Sequence, residues 1–264
     1  MNAIDQNVLV TGANGFIGSS VVRSLSEAGL YKVRSFTRAN HPEDIFQLVA
    51  SSRTVCHLAG VNRPLSQEEF QVGNVELTLN LCRALESAYA VDGVMRTLIY
   101  SSSVRSGENN LYGFSKKAAL EVIKSCAETV PLSACVFHLP GVFGPGSKPF
   151  YNSVVATFCY SAVIGKPLQV DNPEQILKLA YIDDVVHSMI NQFEPVDCKF
   201  KVIEDFTTYE VSVEDLANLV TKSVAEKKLG YRNRTLTELE IKLDATIDFF
   251  INQITGNEEL RGEH

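Results

Sequence analysis

The feature that most narrows the fold is an eight-residue run, TGANGFIG, from Thr11 to Gly18. It follows Asn7–Thr11, which reads as a buried strand. It precedes Phe16, Ile17, Val21, Val22 and Leu25, which recur at helical spacing until Gly29 closes the helix. Strand, glycine turn and helix in that order open a βαβ unit, and each glycine has a place in it. Gly12 permits a tight exit, Gly15 lets backbone approach a pyrophosphate, and Gly18 allows close contact of helix and sheet. The free N–H groups and positive dipole end of the helix suit phosphates. Asn14, Phe16 and Ile17 belong to the same candidate cofactor turn. The spacing is G-x-x-G-x-x-G, not the G-x-G-x-x-G of the commoner fingerprint.

The alternation continues downstream. Tyr31–Thr37, Arg53–Leu58, Thr97–Ser101 and Ser133–Leu139 read as strands. His41–Ala50 reads as a short helix or loop. Residues 68–90 form one long helical pattern, with Leu77, Leu81 and Leu85 at four-residue intervals, and Tyr112–Thr129 form another. This predicts an α/β fold, a Rossmann-like doubly wound parallel sheet. After Pro140, glycines and prolines at 141, 144, 145, 146 and 149 mark a loop, and an apolar helix runs from about 151 to 164. Residues 183–193, 213–224 and 235–254 look helical, and the polar tail after Thr255 is expected to fray. The chain therefore reads as one unit over 1–264. Residues 1–145 are its mainly dinucleotide-binding part, and 146–255 mainly a small C-terminal substrate-binding lobe with returning segments.

Composition excludes several partner classes. A net charge of −7 argues against a nucleic-acid surface or an anionic membrane. The six cysteines form no C-x-x-C pair and mostly sit in apolar stretches, so buried reduced thiols are expected. The five histidines lack ligand spacing, and no metal is expected. The N-terminal residues lead almost at once into a strand, with no signal-peptide pattern, and no apolar run nears the roughly 18 residues of a membrane span. A cytoplasmic protein is expected.

Two further patterns bear on chemistry. Where a carboxylate would hold adenosine ribose hydroxyls, the second strand ends in Phe36-Thr37-Arg38, and the first acid is Glu43. Arg38 can grip a 2′-phosphate with its planar fork, which favours NADP(H) over NAD(H); as an ordinary surface arginine it leaves NAD(H) open. Tyr112 and Lys116, at i and i+4, share one helix face. A nearby ammonium is expected to lower the phenol from its usual value of about 10 and make it a usable acid or base. Ser103, in the YSSS run at the end of the fourth strand, is placed to hydrogen-bond a reacting oxygen.

TGANGFIG, HLAG at His57–Gly60, Asn74, YSSS, Tyr112-x-x-x-Lys116, LPGVFGPG and YIDDVV together resemble the extended short-chain dehydrogenase/reductases over roughly residues 7–200. HLAGVNRP, EEFQVGNV, LYGFSK and KPFYNSVVATFCY are similar to the reductase domain of capsular-polysaccharide enzymes. That resemblance implies NADPH-dependent reduction of the 4-keto group of a UDP-linked 6-deoxy amino sugar. It makes Tyr112 the general acid, Lys116 a ribose and phenol partner, and Ser103 a ligand of the carbonyl oxygen. Leu58, Ala59, Gly60, Asn74, Ser101, Pro140 and Val142 would add cofactor contacts, and Asn152 would meet the sugar-phosphate. Asn62, Arg63 and Lys148 are candidate substrate contacts that equally fit a shaped loop or a solvated lysine; Lys166 stands likewise. Asp183 and Asp184 read as helix caps and His138 as a packed histidine.

The resemblance has limits. The capsular enzymes carry a second, cupin-like metal domain that epimerises the sugar; none falls within these 264 residues, so by that resemblance either a separate epimerase partner acts or the true substrate differs. A homodimer is implied by resemblance alone. Leu177, with Lys178 beside it, stands where hexose epimerases place an arginine. Val104-Arg105 follows Ser103 where dehydratases carry an Asp-Glu pair, and only eight residues separate Ser103 from Tyr112. Two alternatives stay open: an NAD-dependent UDP-sugar 4-epimerase using the same residues, and a non-catalytic cofactor-sensing protein, which would need no proton donor.

Overall fold

The structure, a computed structural model, describes residues 6–64, 66–194 and 200–259. The first unit begins β1 (Asn7–Thr11), α1 (Phe16–Ala28), β2 (Lys32–Phe36), α2 (Asp44–Ala50) and β3 (Thr54–His57). A continuous helical stretch follows: α3 (Glu68–Phe70), a π-helical turn (Gln71–Glu76) and α4 (Leu77–Asp92). Then come β4 (Arg96–Ser103), α5 (Leu111–Thr129) and β5 (Leu132–Leu139). The remainder is β6 (Gly141–Phe143), α6 (Val154–Val163), β7 (Ile176–Tyr181), α7 (Ile182–Ile190), β8 (Phe200–Ile203), β9 (Tyr209–Ser212), α8 (Val213–Leu229) and α9 (Glu238–Glu259).

Six strands pair in the order β2-β1-β3-β4-β5-β8, every pair parallel. The expected doubly wound α/β sheet is present. Period-two alternation sends Leu9, Val55, Leu98, Tyr100, Ala134 and Val136 to one face, where they pack with Ile45 and Val49 of α2, Leu81 and Leu85 of α4, and Ala119 and Ile123 of α5. Parallel strands buried on both sides read as near-continuous apolar runs, which is why β1, β4 and β5 were so visible in sequence. The strand order reverses between β2 and β3, on either side of β1. Ligands of open α/β sheets sit outside the carboxyl ends of the strands at such a switch point.

The chain divides into two compact units, residues 1–139 with 186–206 and residues 140–185 with 207–264. The second contains a small sheet, β6-β7-β9, with β6 and β7 parallel and β7 and β9 antiparallel. Within it, Arg232 pairs with Glu226 and Asp244, and Arg234 with Glu226 and Glu240, which ties the α8–α9 connection to both helices. Among the described residues no helix is long and apolar enough to cross a membrane.

Several expectations need correction. β6 lies inside the stretch read as loop, and β7, β8 and β9 were not anticipated. Strands of three to six residues give too few alternations to stand out, and β7 runs directly into α7. The 68–90 helix is interrupted by the π turn. The helix expected from 151 starts at Val154, because the Ser153 hydroxyl accepts the Ala156 N–H at 3.2 Å as its cap. α9 continues to Glu259 rather than fraying after Thr255; residues 260–264 lie outside the described residues. Asp183 and Asp184 lie in the first turn of α7, and Asp184 pairs with Lys242 at 3.2 Å. His138 pairs with Glu204 at 3.1 Å. Cys56, Cys82, Cys126, Cys135 and Cys159 are buried free thiols, and Cys198 lies outside the described residues.

Arg96 is the main polar anchor beneath the sheet. Its side chain is 1% exposed. Nε reaches the carbonyls of Val49 and Ser52, Nη1 those of Val94 and the Asp92 carboxylate, and Nη2 Ala50 and Asp92. One guanidinium thus terminates α2, ties it to the end of α4, and holds the Asp92 carboxyl below its usual range. Arg96→Ala leaves the carbonyls of Val49, Ala50 and Ser52 without their buried donor, and is expected to cost at least about 1–3 kcal/mol. A shift of the urea midpoint at unchanged m-value measures it.

Candidate active site

The turn after β1 explains two of its glycines sterically. Gly12 has φ +69°, and a Cβ there would lie 2.7 Å from the Ala59 backbone. A Cβ on Gly18 would lie 2.1 Å from the Gly12 carbonyl oxygen, so Gly18 serves the fold of the turn itself rather than the sheet. The Gly12 N–H donates to the Phe36 carbonyl at 2.9 Å, tying the turn to the end of β2. Just beyond, Asn40 reaches back to accept the Thr37 N–H at 2.8 Å, and Arg38 is exposed on that bend. Gly15 takes the cap position of α1 with no side-chain cap, and no acid lies in the first turn. Asn14 is exposed, and Phe16 and Ile17 half-buried, at the same end. The loop after β3 brings Leu58 and Ala59 against Gly12.

A buried hydrogen-bond chain runs from this turn to α5. Thr78 donates its hydroxyl proton to the Asn74 carbonyl at 2.6 Å, so toward His57, 2.9 Å away, its oxygen accepts. His57 therefore carries its proton on Nε2, and its Nδ1 accepts from the Thr11 hydroxyl at 2.8 Å. Thr11 in turn accepts the Ala59 N–H at 3.2 Å. Burial, with the Lys116 charge a smaller influence, lowers His57 to about 3, so it stays neutral. Asn74 sits in the π turn. Its side chain accepts the Val61 N–H at 2.7 Å and donates to the Val61 carbonyl and the Ser115 hydroxyl, both at 2.9 Å. Ser115 donates to the Tyr112 carbonyl at 2.8 Å.

Asn110 starts α5 by accepting the Gly113 N–H at 2.8 Å, which puts Tyr112 in the first turn. A Cβ on Gly113 would lie 2.5 Å from the Glu108 carbonyl oxygen; the short loop presses on the helix there, and its Gly107 N–H donates to the Gly113 carbonyl. Tyr112 packs on the Phe70 ring, centroids 6.2 Å apart, and Ser103 is near enough to its hydroxyl to act on the phenol's proton affinity. Ser103 also accepts the Arg105 N–H at 3.1 Å. Lys116 is buried. Its Nζ donates to the Ser101 carbonyl at 2.9 Å and stands beside Gly60, where a Cβ would come within 3.3 Å of it.

The structure thus gathers Gly60, Asn74, Ser101 and Lys116 in one place, and Ser103 with Tyr112 in another on the same helix and strand. It reverses one expectation. Burial raises the Tyr112 phenol above its ordinary value, against the opposing influence of the Ser103 hydroxyl and the Arg105 charge. The reason is direction: the Lys116 stem runs inward to Ser101 and Tyr100. Asn62 and Arg63 are exposed on the loop after β3. Pro140, Val142, Lys148 and Asn152 belong to the second unit: Pro140 precedes β6, Val142 lies in it, and Lys148 and Asn152 are exposed before α6. Between the last two, exposed Phe150 holds φ +56°, unusual for a bulky residue, with its N–H donated to Thr157 at 2.9 Å. Sequence reading missed His57, Thr78 and Tyr100, whose roles come from partners distant along the chain. Arg105 was noticed for its position but not for its nearness to the phenol.

The profile of the NAD dependent epimerase/dehydratase family matches residues 8–197. The chain belongs to that family. It is 40% identical over 210 residues to UDP-2-acetamido-2,6-beta-L-arabino-hexul-4-ose reductase of Pseudomonas aeruginosa, a match over 80% of this chain and 55% of the relative. Among solved structures it resembles the capsular polysaccharide assembling protein CapF of Staphylococcus aureus, with TM-score 0.77, 25% identity, and 94% and 66% of the two chains covered. It also shares its fold with WbmF of Bordetella bronchiseptica in complex with NAD+, with TM-score 0.77, 19% identity, and 99% and 97% covered. The chain spans little more than half the length of the curated relative with the higher identity. For this family member, the buried hydrogen-bond chain gives a sharp pH signature. His57 is held below its unfolded value of 6.5, so the stability it contributes is present above that value and falls as pH drops toward about 3. Between pH 7.5 and 5.5 the expected loss is about 1.4 kcal/mol, read from urea midpoints. Nitrogen NMR is expected to show the Nε2–H tautomer persisting at pH 5; a His57 that protonates near 6.5 would refute the assignment.

Proposed function

We propose that this chain reduces the 4-keto group of a UDP-linked deoxy sugar with NADPH, in the synthesis of a surface polysaccharide. The observation that carries the reading is the placement of Tyr112, capped into the first turn of α5 and packed on Phe70, with Lys116 one turn on, buried against the Ser101 carbonyl at the carboxyl end of β4. A reductase needs an acid there, and a phenol that keeps its proton at neutral pH is one. The 40% identity to a UDP-sugar 4-keto reductase supports the substrate class, and the likeness to a capsular polysaccharide assembling protein supports the setting.

The turn suits a dinucleotide, because Gly15 leaves the start of α1 without a side-chain cap and its first turn carries no acid. A nicotinamide dinucleotide bound there supplies the hydride. Gly12, Gly15 and the first turn of α1 would hold its phosphates, Arg38 a 2′-phosphate, and Lys116 a ribose hydroxyl. Ser103 orients the sugar carbonyl oxygen, and Tyr112 delivers the proton to that oxygen as the carbonyl carbon is reduced. Lys148 and Asn152 are the proposed substrate contacts of the second unit, and a separate protein would supply any epimerisation.

Oxidation of NADPH is the test, with UDP- and dTDP-linked 4-keto sugars as substrates. Tyr112→Phe is expected to lower the rate by about 10²–10⁴-fold while NADPH still binds. No turnover on any sugar, or an unimpaired Tyr112→Phe enzyme, refutes the reading; protein purified with stoichiometric NAD would instead favour an epimerase. Arg38→Ala is expected to raise the KM for NADPH by about 10- to 100-fold, the worth of a charge-assisted contact, and to leave that for NADH nearly unchanged. An equal change in both would remove the NADPH preference.

A further inference from the structure

Phe150, in the second unit, is held where a side chain of its size is unfavourable and is then left uncovered. Its φ of +56° lies in the left-handed region, disfavoured for a bulky residue and easy for Gly or Asn. The surrounding turn imposes that conformation. The Phe150 N–H is donated to the Thr157 hydroxyl at 2.9 Å, Thr157 donates in turn to the Ser153 carbonyl at 2.9 Å, and the Ser153 hydroxyl caps α6. None of these bonds uses the ring, so Gly or Asn would serve the same turn without strain. The core does not need the ring either. Phe150 is 60% exposed, and it meets the Tyr160 ring edge to face, centroids 5.8 Å apart at 88°. A contact of that kind covers at most one face of a ring, so the other lies open. Strain that the fold does not require clusters at positions that hold ligands.

From this geometry we propose that Phe150 is a specificity-determining residue whose open ring face packs on the apolar face of the substrate's sugar, including the methyl group that makes it a 6-deoxy sugar. The inference rests on the nucleotide-sugar reading above. Position favours the sugar over the base. Lys148 and Asn152, the proposed substrate contacts of the second unit, flank the ring two residues away on either side, no more than about 7 Å of chain each. The hexose is joined directly to the phosphate that those two would meet, whereas uracil is separated from it by a ribose and a second phosphate. An aromatic face gains from C–H groups, but a hydroxyl buried against it loses water and finds no partner. Phe150 therefore selects a 6-methyl over a 6-hydroxymethyl group.

The decisive measurement is equilibrium binding to the NADPH-loaded full chain, with UDP, UDP-N-acetylglucosamine and the 6-deoxy counterpart of that sugar as probes; their 4-hydroxyl groups cannot be reduced. The wild type is expected to bind the 6-deoxy sugar about 10-fold more tightly than the 6-hydroxy one. Phe150→Gly and Phe150→Asn, both at ease at positive φ, are expected to bring that ratio close to 1, chiefly by weakening the deoxy sugar. Their affinity for UDP is expected to stay within about twofold of wild type and their melting temperature within about 3 °C. Phe150→Tyr keeps the face and is expected to retain the ratio. A wild-type ratio of 1, or a ratio that survives Phe150→Gly, overturns the proposal. An equal loss of affinity for UDP alone also overturns it, and assigns the ring to uracil instead. A wild-type chain that binds both sugars but reduces no keto sugar sinks the reductase reading and leaves this inference to its own ratio; one that binds no UDP compound sinks both.

Discussion

A positive charge buried without a negative one is the constraint around which this molecule is arranged. An isolated ammonium in an apolar interior neutralises itself unless dipoles and polarisable faces are turned toward it. Here the end of β4 turns the Ser101 carbonyl to Lys116, the Tyr100 hydroxyl lies 3.5 Å from it, and the loop after β3 gives way through Gly60. Each of those needs the parallel register of β3 and β4, which sets His57 beside Tyr100. Sliding β4 by one residue would send Tyr100 to the opposite face, and sliding β3 would do the same to His57.

The second organising element is the polarity of the hydrogen-bond chain. From the Ala59 N–H through Thr11, His57 and Thr78 to the Asn74 carbonyl, every proton has one direction. A chain with a fixed sense couples the glycine turn to the start of α5 without any charged member. Its neutrality leaves the field near Lys116 free of a competing cation.

Much of this was legible in the sequence, for physical reasons that differ from residue to residue. Gly12 and Gly18 were readable because a glycine between strand and helix answers a steric need local to eight residues. Tyr112 and Lys116 were readable as neighbours because helical geometry alone puts i and i+4 on one face. The direction of the phenol's shift was not, since it depends on where a flexible lysine stem points and on Phe70 and Ser103, more than 30 residues apart along the chain. Tyr100 looked like any strand aromatic. The strands β8 and β9, four residues each, carried too little alternation to be seen.

The π turn at Gln71–Glu76 has a meaning for how this fold can diverge. A wide turn holds one residue more than an α-turn, and in a continuous helix each residue corresponds to about 100° of rotation. Closing it by a single deletion would keep the helix and its apolar stripe, yet swing the amide now seated between Val61 and Ser115 toward another quadrant. Length changes in this stretch are thus rotational errors, and a descendant that lost the extra residue would have to brace the tyrosine helix from somewhere else.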